Sequence, residues 1–177
     1  YTLNANPSLG SGTWTGPIGA IFNNINDPNT SVTVNNYGTH DFTWTEDNGF
    51  NCISSDDISI TFYEIPISEA GNHNTACGLS YILQAMPSAG TGTWSGPIGV
   101  TFNNINDPNT SVTVNNYGTY YFIWAEDNNG CVDQDSLQIA FIINPTSNAG
   151  PDDNICGLSY TLNANPSVGT GTWTGPI

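Results

Sequence analysis

Two histidines, four cysteines and fifteen carboxylates are the groups from which this 177-residue chain could build chemistry; it has no lysine and no arginine. Paired carboxylates occur as Glu46-Asp47 and Glu126-Asp127, and again at Asp56-Asp57 and at Asp133 and Asp135. A glycosidase needs two carboxyls about 5–10 Å apart across a cleft, one of them kept protonated by burial. These pairs fall on or beside a hairpin, so the expectation is solvated tips and not a cleft. Serine–histidine–aspartate or metal–histidine chemistry would rest on His40 or His73. Neither recurs: His40 aligns with Tyr120 and His73 with Asp152, so both are expected at ordinary strand and connecting positions.

Those alignments exist because the chain repeats. Residues 22–39, FNNINDPNTSVTVNNYGT, return letter for letter at 102–119, and YTLNANPS or YILQAMPS begins at Tyr1, Tyr81 and Tyr160. GTWTGPI or GTWSGPI recurs at Gly12, Gly92 and Gly171. The period is about 80 residues, the size of a small domain and too long for a solenoid coil. The divisions are a first repeat at 1–66, a second at 67–145 and the start of a third at 146–177. The sequence opens and stops inside a unit, and it reads as a window on a longer array. A unit of this size buries only about 60–65% of its unfolded surface and gains from a cross-link or a stacked neighbour.

Short runs of Thr, Val, Ile, Tyr and Trp alternate between Gly, Pro and Asn, and nothing has helical spacing. In the first repeat, strands are expected around residues 1–5, 12–15, 31–35, 39–46 and 57–63, with Asp47-Asn48-Gly49 as a hairpin. The second repeat matches, and Ala70-Gly71 and Ala149-Gly150 read as linkers. This predicts an all-β fold of tandem antiparallel immunoglobulin-like β-sandwich repeats, antiparallel throughout because no crossover helix is present. Alternation directs Trp14, Trp44, Trp94, Trp124 and Trp173 into the core, against a role as sugar platforms.

The net charge of −15 argues against nucleic acid and acidic lipid as partners, and the longest apolar run is too short for membrane insertion. Cations could relieve that charge. Asn26, Asp27 and Asn29, repeated as Asn106, Asp107 and Asn109, offer loop oxygens for Ca²⁺, as do Glu126 and Asp127; without a DxDxDG loop, Asn/Asp turn chemistry is the competing reading. No other cofactor is implied.

Cys52 aligns with Cys131 and Cys77 with Cys156, none in CxxC spacing, which favours structural disulfides over zinc and an extracellular setting. Cys77 precedes the first core strand of its unit and Cys131 follows the hairpin. The expected bond is Cys77–Cys131, with Cys52 and Cys156 joined to cysteines beyond the window; the rival is a linker staple, Cys52–Cys77 and Cys131–Cys156. Asn29-Thr30-Ser31 and Asn109-Thr110-Ser111 fit the N-glycosylation pattern.

AGPDDNICGLSYTLNANPSVGTGTWTGP, the SVTV strand, YGTYYFIWAEDNNGC and DSLQIAF together resemble the PKD-like, immunoglobulin-like repeats of giant Bacteroidota surface proteins. Those proteins include gliding-motility adhesins and other type 9 secretion cargo. The WDFGDG signature of ordinary PKD domains is absent. The resemblance implies a bacterial cell-surface location, and it makes Asp135-Ser136-Leu137 similar to the O-glycosylation motif of that phylum, with Ser136 as acceptor. The function expected is a non-enzymatic structural segment of an adhesin, stalk or filament. Its partners would be further repeats of the same chain, surface glycans or lateral copies of itself. A carbohydrate-binding module through Trp and Asn is the alternative, and a glycoside hydrolase accessory domain is the least supported.

Overall fold

A computed structural model describes residues 1–8 and 11–175; Pro176 and Ile177, which close the third GTWTGPI copy, lie outside the described residues. The fold is all-β, with twelve strands and no helix among the described residues. The chain divides into two compact units, Tyr1–Ile65 with Asn128–Cys131, and Pro66–Asp127 with Val132–Ile177.

In the first unit, β1 (Ser11–Thr15), β4 (Gly38–Asp47) and β5 (Ile53–Phe62) form one antiparallel sheet in the order β1-β4-β5, and β2 (Ile21–Phe22) pairs with β3 (Val32–Thr33). The start of the chain lies beside β3: Leu3 N donates to Thr30 O at 2.8 Å and Val32 N to Tyr1 O at 2.9 Å. Period-2 alternation on β4 sends Phe42 and Trp44 inward to meet Leu3, Trp14 and Val32.

The second unit has the fuller sandwich. One sheet runs β6 (Asn74–Cys77), β12 (Cys131–Ile142), β11 (Gly118–Asn128), β8 (Thr91–Ser95), and the other runs β7 (Ser80–Ile82), β10 (Ser111–Thr113), β9 (Thr101–Phe102). Leu83, Trp94, Val112, Phe122, Trp124, Leu137, Ile139 and Phe141 close the core between them. Asn129 and Gly130, with φ of 55° and 88°, make the β11–β12 turn, where positive φ at both positions matches the twist of a two-residue hairpin.

One expectation is corrected. The sheet is not antiparallel throughout: β6 runs parallel to β12, with Asn74 opposite Ile139 and Cys77 opposite Ile142. Parallel neighbours need a long connection, and here everything from β7 to β11 supplies it without a helix. The stretch after Ala70-Gly71 is therefore not a linker. Residues 67–79 form a leader along β12. Ser68 N bonds Asp133 Oδ2 at 2.8 Å, Ala70 N bonds Asp135 Oδ2 at 2.9 Å, and Gln138 N donates to His73 Nδ1 at 2.9 Å. Beyond β6, Gly78 N donates to Ile142 O at 2.9 Å.

Candidate functional site

The most elaborate polar arrangement surrounds Glu126. Alternation on β11 puts it on the same face as Phe122 and Trp124, so its carboxylate enters the sandwich, where the residue is 1% exposed. There it receives Ser88 N at 3.0 and 3.1 Å, Ser88 Oγ at 2.6 Å, Trp124 Nε1 at 2.9 Å and, more weakly, Ala89 N at 3.4 Å. Desolvation raises its pKa; the donors of Ser88, Trp124 and Ala89 act against it and leave the carboxyl below its ordinary value. It is an ionised clamp joining β11 to the turn before β8. Glu46 repeats the contacts in the first unit with Ser8 N at 3.0 Å, Ser8 Oγ at 2.6 Å and Trp44 Nε1 at 3.0 Å. The expectation of a solvated tip is thus corrected for Glu126. Its Oε1 and Oε2 both face N–H and O–H donors, an environment unlike the oxygen cage that Ca²⁺ requires.

The clamp carries the tryptophans. Trp94 and Trp124 stand 5.2 Å apart between ring centroids at 54°, and Trp14 and Trp44 repeat both values. All four are buried core residues, as expected. Gly12 and Gly92 make room: a Cβ on Gly92 would overlap the Trp124 ring, and one on Gly12 the Trp44 ring. Trp173 departs from expectation. It is half-exposed, because the sequence after it holds no counterpart of β11 or of the 104–110 loop that cover Trp94.

The exactly repeated stretch is the second construction. Asn26 Nδ2 donates to Gly12 O at 3.1 Å and to Thr13 Oγ1 at 3.0 Å, and Asn106 does the same to Gly92 O and Thr93 Oγ1 at 3.3 and 3.1 Å. Asp27 Oδ1 accepts Asn29 N at 2.9 Å, and Asp107 Oδ1 accepts Asn109 N at 2.9 Å. Buried Thr30 and Thr110 accept Asn24 N and Asn104 N through Oγ1 at 2.9 and 3.0 Å. Trp14 Nε1 and Trp94 Nε1 each reach a proline carbonyl, Pro28 O and Pro108 O, at 3.4 Å. These loops are Asx turns wedged against the strand that carries the first tryptophan. Among the described residues, no three His, Cys, Asp or Glu side chains converge as a metal cluster.

His40 Nε2 meets Asn36 O at 3.0 Å, and its counterpart Tyr120 donates to Asn116 O at 2.9 Å, so two unlike side chains hold the same turn. Asn29, Asn109 and Ser136 are exposed, the asparagines on turns and the serine on β12.

The Cys77–Cys131 pairing is corrected. Cys77 lies opposite Ile142, at the end of β12, and Cys131 begins that strand. Eleven residues at about 3.3 Å each set them about 36 Å apart, against a Cα separation of at most about 7 Å for a disulfide. All four cysteines are free, with Cys52, Cys77 and Cys156 exposed.

No family model matches the chain, and no curated protein matches it. Among solved structures, an endo-fucoidan hydrolase of glycoside hydrolase family 107 is similar at 19% identity with a TM-score of 0.32. That likeness covers 76% of this chain and 24% of the hydrolase, so the chain spans about a quarter of its length. Domains 4 and 5 of the S-layer protein SbsC are similar at 10% identity and a TM-score of 0.33, over 74% of this chain and 70% of that one. The human protocadherin-24 EC1-2 pair is similar at 8% identity and 0.33, over 76% and 82%. With every TM-score below 0.5, the fold description above rests on the strands and their pairing alone.

Proposed function

We propose that this chain is a run of structural immunoglobulin-like repeats in a long extracellular stalk or filament on a bacterial surface. The observation that carries the reading is the fate of the repeated polar side chains. Glu46 and Glu126, Asn26 and Asn106, Asp27 and Asp107, and Thr30 and Thr110 make the same bonds in both units, all of them within their own unit. Residues kept for catalysis or ligand recognition leave donors and acceptors pointing at a cleft, whereas these brace a sandwich. In a repeat array each unit has only to hold its shape and contact its neighbours. The absence of lysine and arginine gives a surface of one sign that keeps adjacent rods apart.

The resemblance to PKD-like repeats of Bacteroidota surface proteins supplies the finer reading, a segment of a type 9 secretion cargo. Burial of Trp14, Trp44, Trp94 and Trp124 weighs against the carbohydrate-module alternative. No enzymatic role is assigned. Mechanical unfolding of the native polypeptide tests the array. Units of about 80 residues should release roughly 260–290 Å of chain per event, in an evenly spaced series. A single event, or an irregular series, would count against it.

A further inference from the structure

The two units offer an internal comparison along one edge. Leu137, Ile139 and Phe141 of β12 are 2%, 0% and 1% exposed, whereas their counterparts on β5 are open: Ile58 is 38% exposed, and Ile60 and Phe62 are half-buried. What covers β12 is the leader at 67–79. It pairs β6 in parallel with Ile139–Ile142, lays Ala76 and Leu79 on the core and receives Val114 N at Leu79 O, 2.9 Å. Along β5, among the described residues, no strand occupies that edge. A groove lined by Val32, Val34, Ile60, Phe62 and Tyr63 runs there instead.

The chain also holds a second copy of the leader with no strand to pair. Residues 156–160, CGLSY, are identical to 77–81, and among the described residues no strand is formed beyond β12. Yet the arch around this copy is set as in the second unit. Thr146 N bonds Ser167 Oγ at 2.8 Å as Ile67 N bonds Ser88 Oγ at 2.8 Å, and Asn165 N bonds Asn148 O as Met86 N bonds Glu69 O. Its apolar side chains stand in solvent, with Ile155 at 46% and Leu158 at 107%.

We propose that the open edge of β5 accepts residues 152–159 of a second copy of this chain, so that copies join head to tail by strand addition. The register follows from the second unit: Asp153 beside Ile60, Asn154 beside Thr61, Ile155 beside Phe62 and Cys156 beside Tyr63, with Leu158 on Val34. On β12 the alternate residues 138, 140 and 142 turn their backbone toward the leader, as Gln138 N to His73 Nδ1 and Gly78 N to Ile142 O show. On β5 the corresponding outward groups belong to Ser59, Thr61 and Tyr63. Main-chain bonds give such an addition its affinity and the side-chain pockets give it register. Because donor and acceptor are different surfaces, the contact is heterologous and yields an open filament. The inference deepens the structural reading by naming a second copy as the partner. Two surfaces of like charge meet, so the joint tightens with salt, unlike one built on ion pairs.

The test uses the 177-residue chain under reducing conditions at near-physiological salt, with mass read by light scattering. The wild type should form a concentration-dependent series in multiples of 18.8 kDa. L158D removes the donor at a side chain already in solvent and should stay monomeric. T61P removes an outward N–H on an edge strand, where proline is tolerated, and should also stay monomeric with an unchanged circular dichroism spectrum. Mixed one to one, the two variants keep one good surface each and should give dimers and nothing larger. A synthetic peptide of residues 152–160 should dissolve the wild-type series whether or not T61P folds. A wild-type chain that stays at 18.8 kDa at every concentration, or oligomers that persist in L158D or with saturating peptide, would overturn the proposal. The array reading would survive either result, since mechanical unfolding of the native polypeptide tests it separately.

Discussion

Substituting the same glutamate in the two units gives unequal losses. Glu126→Ala leaves Ser88 N–H, Ser88 O–H and Trp124 Nε1–H without their acceptor in a site closed to water. Hydrogen bonds to a charged group are worth about 1.5–3 kcal/mol each, and an abandoned buried donor keeps its desolvation cost. The carboxylate's own burial offsets part of this, which leaves a loss of about 3–4 kcal/mol. Glu46→Ala removes matching bonds, but Glu46 is only half-buried and water replaces the acceptor, so the loss is about 1 kcal/mol. Hydrogen exchange after pepsin digestion reads β4 and β11 separately in one molecule. Acidity adds a second signature. The folded pKa of Glu126 lies below its ordinary value, so its contribution is complete above the unfolded value of about 4.3 and is lost as pH falls through the folded one. Protonating the other carboxylates relieves repulsion and acts the opposite way, so the quantity to follow is wild type minus Glu126→Gln. That difference should be flat near neutrality and shrink below about pH 4.3. Equal losses at Glu46 and Glu126, or a difference that grows in acid, would refute the clamp.

Gly92→Ala should destabilise the second unit by about 3 kcal/mol in urea melts, because its Cβ collides with a tryptophan ring already locked by Glu126. Dithiothreitol should leave the melting temperature of the 177-residue chain unchanged, and Cys52, Cys77 and Cys156 should react rapidly with a thiol reagent in the native state. Calcium followed by EDTA should leave melting unchanged as well, since the candidate loop side chains are spent on their own turns; a shift of several degrees would restore an ion site at Asp27 and Asp107. On a glycan array the same chain should show no specific binding, with its tryptophans buried.

What could be read from the sequence was local. The Phe42-Trp44 and Phe122-Trp124 alternation gave β4 and β11 their inward faces, and Asp47-Asn48-Gly49 and Asn129-Gly130 marked their turns. The leader escaped because its partner is about 65 residues away and because Gly71, Asn72, His73 and Asn74 have the composition of a linker. A carboxylate is normally a surface residue, so Glu126 was set with the hairpin tip, though it shares the parity of Phe122 and Trp124 on one strand. Its recurrence together with the Pro-Ser pairs at Pro7-Ser8 and Pro87-Ser88 was the available signal. The Cys77–Cys131 pairing failed for the same reason as the linker: without β6 in place, both cysteines could be set at one end of the unit.

Electron microscopy of the native source with an antibody against the stretch shared by residues 22–39 and 102–119 tests the central claim most directly. The account predicts label outside the cell, recurring along a thin fibre at intervals of one unit. Label confined to the cell interior, or a single site on a compact particle, would contradict it.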